Sequence, residues 1–237
     1  MDLLIFENEE NIRAGFTGKP DRAAERRRLM AEAAEEKGGF VLRPLLVHGT
    51  RVQKIDRAFL APARAEGASS YAELPETDGL VTDLPGVVLT STHGDCIPVW
   101  AFDPEKRVVG LAHAGWKGTL NGIAAELIWV MQQEYGCRAE SILAYIGPGI
   151  DLCHFEVGPE VAAQFREKSQ EFGTYVHDRP DGKSMIDLKG INRLLLAAAG
   201  VKKIAVSTEC TYCEEERYYS YRRCKDSERM LAYIELL

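Results

Sequence analysis

Residues 78–118 read DGLVTDLPGVVLTSTHGDCIPVWAFDPEKRVVGLAHAGWKG. The apolar runs Gly79–Thr82, Val87–Thr92, Ile97–Phe102 and Val108–Ala112 are short and rich in β-branched residues, and Pro85-Gly86, His93-Gly94 and Asp103-Pro104 punctuate them, so each reads as a strand. Upstream, Phe40 to Val47 reads as a strand delivering His48-Gly49-Thr50. Residues 1 to 17 read as two short strands around the polar turn Asn8-Glu-Glu-Asn11, and Pro20 opens a charged helix ending near Gly38-Gly39. Arg57 to Thr77 lacks periodicity and reads as a mobile excursion. Downstream, Leu120, Ile123, Leu127, Val130 and Met131 recur at helical spacing within Thr119–Tyr135, and Gly136 stops that helix. A strand at Ile142–Ile146, a helix at Glu160–Phe172, a helix from the N-cap Asp187 to Gly200, and strands at Lys203–Ser207, Tyr218–Tyr221 and Met230–Ile234 complete the order. There is no repeat and no regular βαβ alternation. The expectation is therefore an α+β (mixed α/β) fold, a mixed sheet system covered by helices, in one domain over residues 1–237.

The 237-residue chain is 46% apolar, enough for a substantial core. Its 29 basic and 36 acidic residues, net charge -7, form no sustained basic surface, which excludes nucleic acid as a partner. The start, Met1-Asp-Leu-Leu-Ile-Phe-Glu, turns acidic before any long apolar run, unlike a signal peptide, and no segment approaches the roughly 20 apolar residues of a membrane span. The six cysteines (96, 137, 153, 210, 213 and 224) are expected as reduced thiols, metal ligands or buried small side chains rather than a disulfide framework. A cytoplasmic, monomeric protein acting on small molecules is the expectation.

His48 precedes Gly49, Cys96 heads a strand in Thr92-His-Gly-Asp-Cys96-Ile-Pro, and His113 ends a strand before Ala114-Gly-Trp-Lys-Gly118. Two imidazoles and a thiolate make a three-ligand zinc site whose open fourth position holds water or substrate; such zinc lowers the pKa of bound water to about 7. Spacing alone does not bring the three together. On that ground a buried structural cysteine and hydrogen-bonded histidines are the simpler account.

Eight motifs shift that balance: Val47-His-Gly-Thr50, Asp78-Gly-Leu-Val81, Gly94-Asp-Cys-Ile-Pro98, Ala112-His-Ala-Gly-Trp-Lys-Gly118, Ile146-Gly-Pro-Gly-Ile150 with Cys153-His-Phe-Glu-Val157, Asp187-Leu188 with Asn192-Arg193, Cys210-Thr-Tyr-Cys213, and Ser220-Tyr-Arg-Arg223. In this order they resemble the YfiH family, also called polyphenol oxidase or laccase-domain protein, peptidoglycan-editing factor and purine nucleoside phosphorylase. The resemblance implies a sandwich of mixed sheets flanked by helices, and metal ligands at His48, Cys96 and His113. Two positions depart from the family: Leu46 stands where Gln is usual, and Lys19 of Gly15-Phe-Thr-Gly-Lys19 where Arg is usual. Both are expected near the substrate pocket.

Around the triad, Asp95 is a candidate orienting partner or proton acceptor if Gly94 bends the chain, since an extended segment turns it away from Cys96. Trp116 is placed to stack on a purine or to fill the core. Among Lys117, Arg193, Arg222 and Arg223, the pair Arg222 and Arg223 best suits phosphate, because Tyr219 and Tyr221 suggest partial burial. Asn192 joins the substrate-binding candidates through its motif; His93 and His177 carry no signal. His154-Phe-Glu156 with Cys210-Thr-Tyr-Cys213 mimics the two halves of zinc nucleobase deaminases, but Glu209 replaces the expected Pro and 54 residues separate the halves. Cys210, Cys213 and Cys224 lack a clear fourth zinc ligand and are read as packing thiols.

The resemblance implies phosphorolysis of adenosine, inosine or guanosine by phosphate at a zinc site, with adenosine deamination as a second activity. Copper-dependent phenol oxidation is the alternative, since trigonal copper also takes two His and one Cys. Five histidines in the whole chain are few for an oxygen-reducing copper cluster. Hydrolysis of a peptidoglycan precursor, and a non-catalytic metal-binding role, are the other readings.

Overall fold

The computed structural model describes residue 6 and residues 9–19, 24–25, 27–29, 31, 39–65, 70–225 and 227–237. Of the strand expected ahead of Asn8 only Phe6 is among the described residues, where it is buried in a helical turn, and most of the helix expected from Pro20 lies outside them. Positions 24–25, 27–29 and 31 are helical, and Leu29 among them is buried.

Six strands form one sheet in the order β13 (Lys203–Val206), β9 (Leu143–Ile146), β7 (Ile97–Asp103), β8 (Val108–Ala114), β5 (Gly79–Thr82) and β3 (Val52–Ile55). Five form a second, in the order β1 (Ile12–Phe16), β14 (Met230–Leu236), β6 (Val87–His93), β2 (Phe40–Pro44) and β4 (Tyr71–Leu74). A small antiparallel sheet joins β10 (Glu156–Val157), β12 (Ser184–Ile186) and β11 (Val176–Asp178). The two large sheets mix parallel pairs, such as β3 with β5, and antiparallel pairs, such as β7 with β8. They are the mixed sheets expected from the sequence.

Residue alternation along β7 explains how the layers stack. Trp100 and Phe102 point into the core between the two large sheets, against Phe40, Leu42, Leu89 and Ile234; Val99 and Ala101 point the other way, against Ile123, Leu127 and Ile191 of the covering helices. Both faces are covered, so Ile97–Phe102 is apolar throughout rather than alternating. Trp100 is fully buried, edge-on to Phe16 (6.2 Å) and tilted against Tyr145 (5.6 Å), and its indole N–H donates to the Tyr233 carbonyl at 3.0 Å. Trp100→Ala is expected to cost about 3–5 kcal/mol, from lost burial and the cavity left behind. The measurement is the urea midpoint; a loss under about 1 kcal/mol would contradict this account of the sandwich core.

Several elements differ from expectation for local reasons. Arg57–Thr77 is no excursion: it contains a helix at Arg57–Ala65, anchored by buried Leu60, and strand β4. The helix expected over Thr119–Tyr135 is two helices, Trp116–Asn121 and Ile123–Tyr135, meeting at Gly122, whose φ of +91° is open to glycine and strained for other residues. The helix expected over Glu160–Phe172 breaks at Ser169. Ser169 is extended, and its hydroxyl accepts from the Phe172 N–H to cap a short second helix. Tyr218–Tyr221 is not a strand; Ser220 caps the one-turn helix Tyr221–Cys224 by accepting from the Arg223 N–H. Among the described residues no helix is long and apolar enough to cross a membrane.

One topological consequence positions the site. The connections β2 to β3 (45–51), β4 to β5 (75–78) and β6 to β7 (94–96) each carry the chain from the five-stranded to the six-stranded sheet. Strands β2, β4 and β6 run parallel, so all three crossings occur at the same end of the sandwich.

Candidate metal centre

Each crossing brings a functional side chain. The first brings His48, which lies in a loop beyond the end of β2 and has a φ of +59°; the third brings Cys96; and His113 projects from within β8, opposite Pro98. The donor atoms of His48, Cys96 and His113 all lie within 4.8 Å of one another, and the two imidazoles meet edge to face with centroids 5.1 Å apart. His113 is buried and His48 exposed, so the cluster is closed on one side and open on the other. Gly115 preserves the space: a Cβ there would stand 2.8 Å from His48 Cδ2 and 3.1 Å from Cys96 Sγ.

The second crossing brings Asp78, whose side chain is fully buried. One carboxylate oxygen accepts from the His48 N–H at 2.9 Å and faces His113 Nδ1 at 3.3 Å; the other accepts from the N–H groups of Gly49 (2.8 Å) and Val47 (3.3 Å). Burial, the largest influence, pushes the Asp78 carboxyl up, but His113 and these N–H groups outweigh it and the carboxyl lies below its ordinary value. Asp78 thus fixes both the loop that bears one histidine and the ring of the other, engaging Nδ1 and leaving Nε2 to ligate. Its only signal in the sequence was the motif Asp78-Gly-Leu-Val81.

Burial also pushes the Cys96 thiol up, yet His113 and His48 together bring it down to about 6. His113 shows the converse: burial pushes it down, while Cys96 and Asp78 carry it up to about 9. The site is built for a thiolate, and the compensating positive charge is one that a bound cation would provide. Two imidazoles and one thiolate, converging and open on one side, fit a catalytic-type transition metal. His93, unmarked in the sequence, is buried beneath the triad; its Nδ1 lies 3.0 Å from the Cys96 carbonyl and its ring centroid 5.2 Å from that of His113. Burial holds it neutral, well below its ordinary pKa.

A cavity of about 280 Å³ opens above the triad, walled by Trp116, Phe155, Leu188, Tyr221 and Arg222 as well as by His48 and Cys96. Trp116 therefore lines a pocket rather than only filling the core. Asp95 reaches the cavity because its own backbone turns, with a φ of +85°, rather than by a positive φ at Gly94. Both its oxygens are engaged, one by the Thr211 hydroxyl and one by the Arg222 N–H, each at 2.7 Å. It therefore braces the wall, and no hydrogen bond joins it to a triad side chain among the described residues.

The two arginines separate. Arg222 lies at the cavity, its Nη1 donating to the carbonyls of His154 and Glu156. The Arg223 guanidinium is spent on the carbonyls of Thr211, Tyr212 and Tyr218, away from the cavity. Asn192 is fully buried between helices, donating to Thr119 Oγ1 and the Leu188 carbonyl, and is not in the cavity wall. Leu46 and Lys19 are not in the wall either; the Lys19 ammonium donates to the Glu215 carbonyl and lies over the Tyr219 ring.

Known proteins resemble this chain in both sequence and fold. A family signature described as multi-copper polyphenol oxidoreductase laccase matches residues 7–237. The chain is 39% identical over 193 residues to purine nucleoside phosphorylase YlmD of Geobacillus stearothermophilus, covering 79% of this chain and 69% of that protein. It is 37% identical over 183 residues to adenosine deaminase RL5 from an unknown prokaryotic organism, covering 76% of this chain and 68% of that one. The crystal structure of YlmD from G. stearothermophilus superposes with a TM-score of 0.81 at 31% identity, over 96% of this chain and 92% of that chain. By signature, relatives and fold, the chain belongs to the YfiH family of laccase-domain proteins.

Proposed function

We propose that the protein is a purine nucleoside phosphorylase that holds zinc at His48, Cys96 and His113. The observation that carries this is the open three-donor cluster at the floor of a cavity of about 280 Å³ walled by aromatic side chains and one arginine. That volume is just below the usual range for small ligands, about 300–1,000 Å³. The name of the Geobacillus stearothermophilus relative, purine nucleoside phosphorylase YlmD, supports the same reading.

His48, Cys96 and His113 would hold the zinc, which when bound would supply a Lewis acid at the floor of the cavity. Trp116 and Phe155 offer apolar faces to a purine, and their packing excludes water from one side of it. Arg222 provides the cation that holds a phosphate dianion against C1′ of the ribose, with its backbone fixed by Asp95. Phosphate then forms the bond to C1′ as the purine leaves. The catalytic roles assigned to His48, Cys96 and His113 are to hold the metal, and that of Asp95 is to position Arg222. Six free cysteines fit a reducing compartment, the cytoplasm.

The test is to incubate metal-defined protein with adenosine or inosine, with and without phosphate, and to follow base release by chromatography. Phosphate-dependent release of free base and ribose 1-phosphate is expected; no turnover of any nucleoside would refute the proposal. Deamination, favoured as a second activity by the relative named adenosine deaminase, would show as inosine formed from adenosine without phosphate. Oxygen uptake with a phenol, confined to copper-loaded protein, would favour the oxidase.

A further inference from the structure

Of the cysteines expected as packing thiols, Cys210 is buried but Cys213 and Cys224 are exposed. Cys153 and Cys213 are exposed, yet they stand together with His154 and buried Cys210, and the donor atoms of all four lie within 4.8 Å of one another. His154 Nδ1 is 3.1 Å from Cys153 Sγ and 3.3 Å from Cys213 Sγ, and the two sulfurs are 3.6 Å apart. Zinc–sulfur bonds of about 2.3 Å in a tetrahedron put sulfurs about 3.8 Å apart, close to this spacing. A disulfide would need about 2.05 Å. Cys224, grouped with Cys210 and Cys213 from the sequence, lies outside the cluster.

We propose that Cys153, His154, Cys210 and Cys213 form a second metal site, closed and structural, that takes a tetrahedral thiophilic cation, with zinc as the expected occupant. Three thiolates and one imidazole fill all four positions and leave none for substrate. The surroundings orient the ligands: the His154 ring stacks on Tyr212 at 4.0 Å and 16°, and the Asp151 N–H donates to Cys210 Sγ at 3.4 Å. Glu156, the carboxylate of the deaminase-like His-x-Glu, is instead paired with Lys183 at 2.6 Å and Arg179 at 3.5 Å, so this is not a second deaminase centre.

The site ties two segments that build the wall of the first. Residues 149–157 supply Ile150 and Phe155 to the cavity, and residues 210–213 supply Thr211, which donates to Asp95. The two segments already meet through the Gly149–Cys210 bridge, where the Thr211 N–H donates to the Gly149 carbonyl at 3.1 Å.

The test counts metals and needs no substrate. Wild-type protein, Cys96→Ala and Cys213→Ser are incubated with zinc, desalted and analysed; two, one and one equivalents are expected. Cobalt added to Cys96→Ala, which retains the second cluster whether or not Cys213→Ser folds, should give the intense ultraviolet charge-transfer absorption of three thiolates. One equivalent in wild type and none in Cys96→Ala would overturn the proposal, as would a Cys153–Cys213 disulfide found by peptide mapping of the zinc-treated protein.

Discussion

Cys96→Ala is expected to fold, to lose the metal of the triad, and to turn over nucleosides at below about a thousandth of the wild-type rate, a loss of about 4 kcal/mol of transition-state stabilisation. The thiolate is the one anionic ligand of the three, and His48 and His113 alone leave a neutral two-donor site on an exposed loop and a buried strand. Added zinc should not restore activity, because the missing donor cannot be replaced by concentration. Metal content, turnover and thermal unfolding measured on one preparation separate this outcome from misfolding. Activity within tenfold of wild type would remove the triad from the mechanism.

Asp78→Ala should behave differently, because Asp78 is a positioning residue. It accepts three loop N–H groups and orients His113, so its loss releases the His48 loop without removing a ligand. Metal affinity is expected to fall about 10–100-fold, as for other removals of ligand-orienting carboxylates. Turnover should fall with it at limiting zinc and recover substantially in excess zinc, in contrast to Cys96→Ala. Asp78→Asn, which keeps a carbonyl acceptor but not the charge, should lie between. Unchanged zinc affinity in Asp78→Ala would show that the three N–H contacts hold the loop for another reason.

What the sequence disclosed divides along physical lines. Strands β5 to β8 were legible because they are short apolar runs between strong turn residues, and the mixed architecture followed from the lack of regular βαβ alternation. The helix Arg57–Ala65 was not, because it is rich in alanine with Pro62 inside it and offers no apolar stripe of large side chains; only Leu60 is deeply buried among its described side chains. Breaks at Gly122 and Ser169 were missed because each leaves the apolar periodicity intact on either side.

At the site, convergence of His48, Cys96 and His113 is a long-range fact that no periodicity encodes, and motif resemblance supplied it. The same limit hid Cys153 and His154 from Cys210 and Cys213. Asp78 escaped because its role is to accept from backbone N–H groups, which no side-chain pattern records. Asn192 misled because a buried helix-to-helix hydrogen bond leaves the same trace in a motif as a substrate contact.

The three parallel crossings also set an order of events. His48, Asp78 and Cys96 arrive by separate passages between the layers, so the triad has no local precursor and exists only after the sandwich has closed. An ion captured there, as proposed, would come late in maturation and add to a stability the apolar core already has. The free metal concentration then sets how much is added, about 1.4 kcal/mol for each tenfold excess over the dissociation constant.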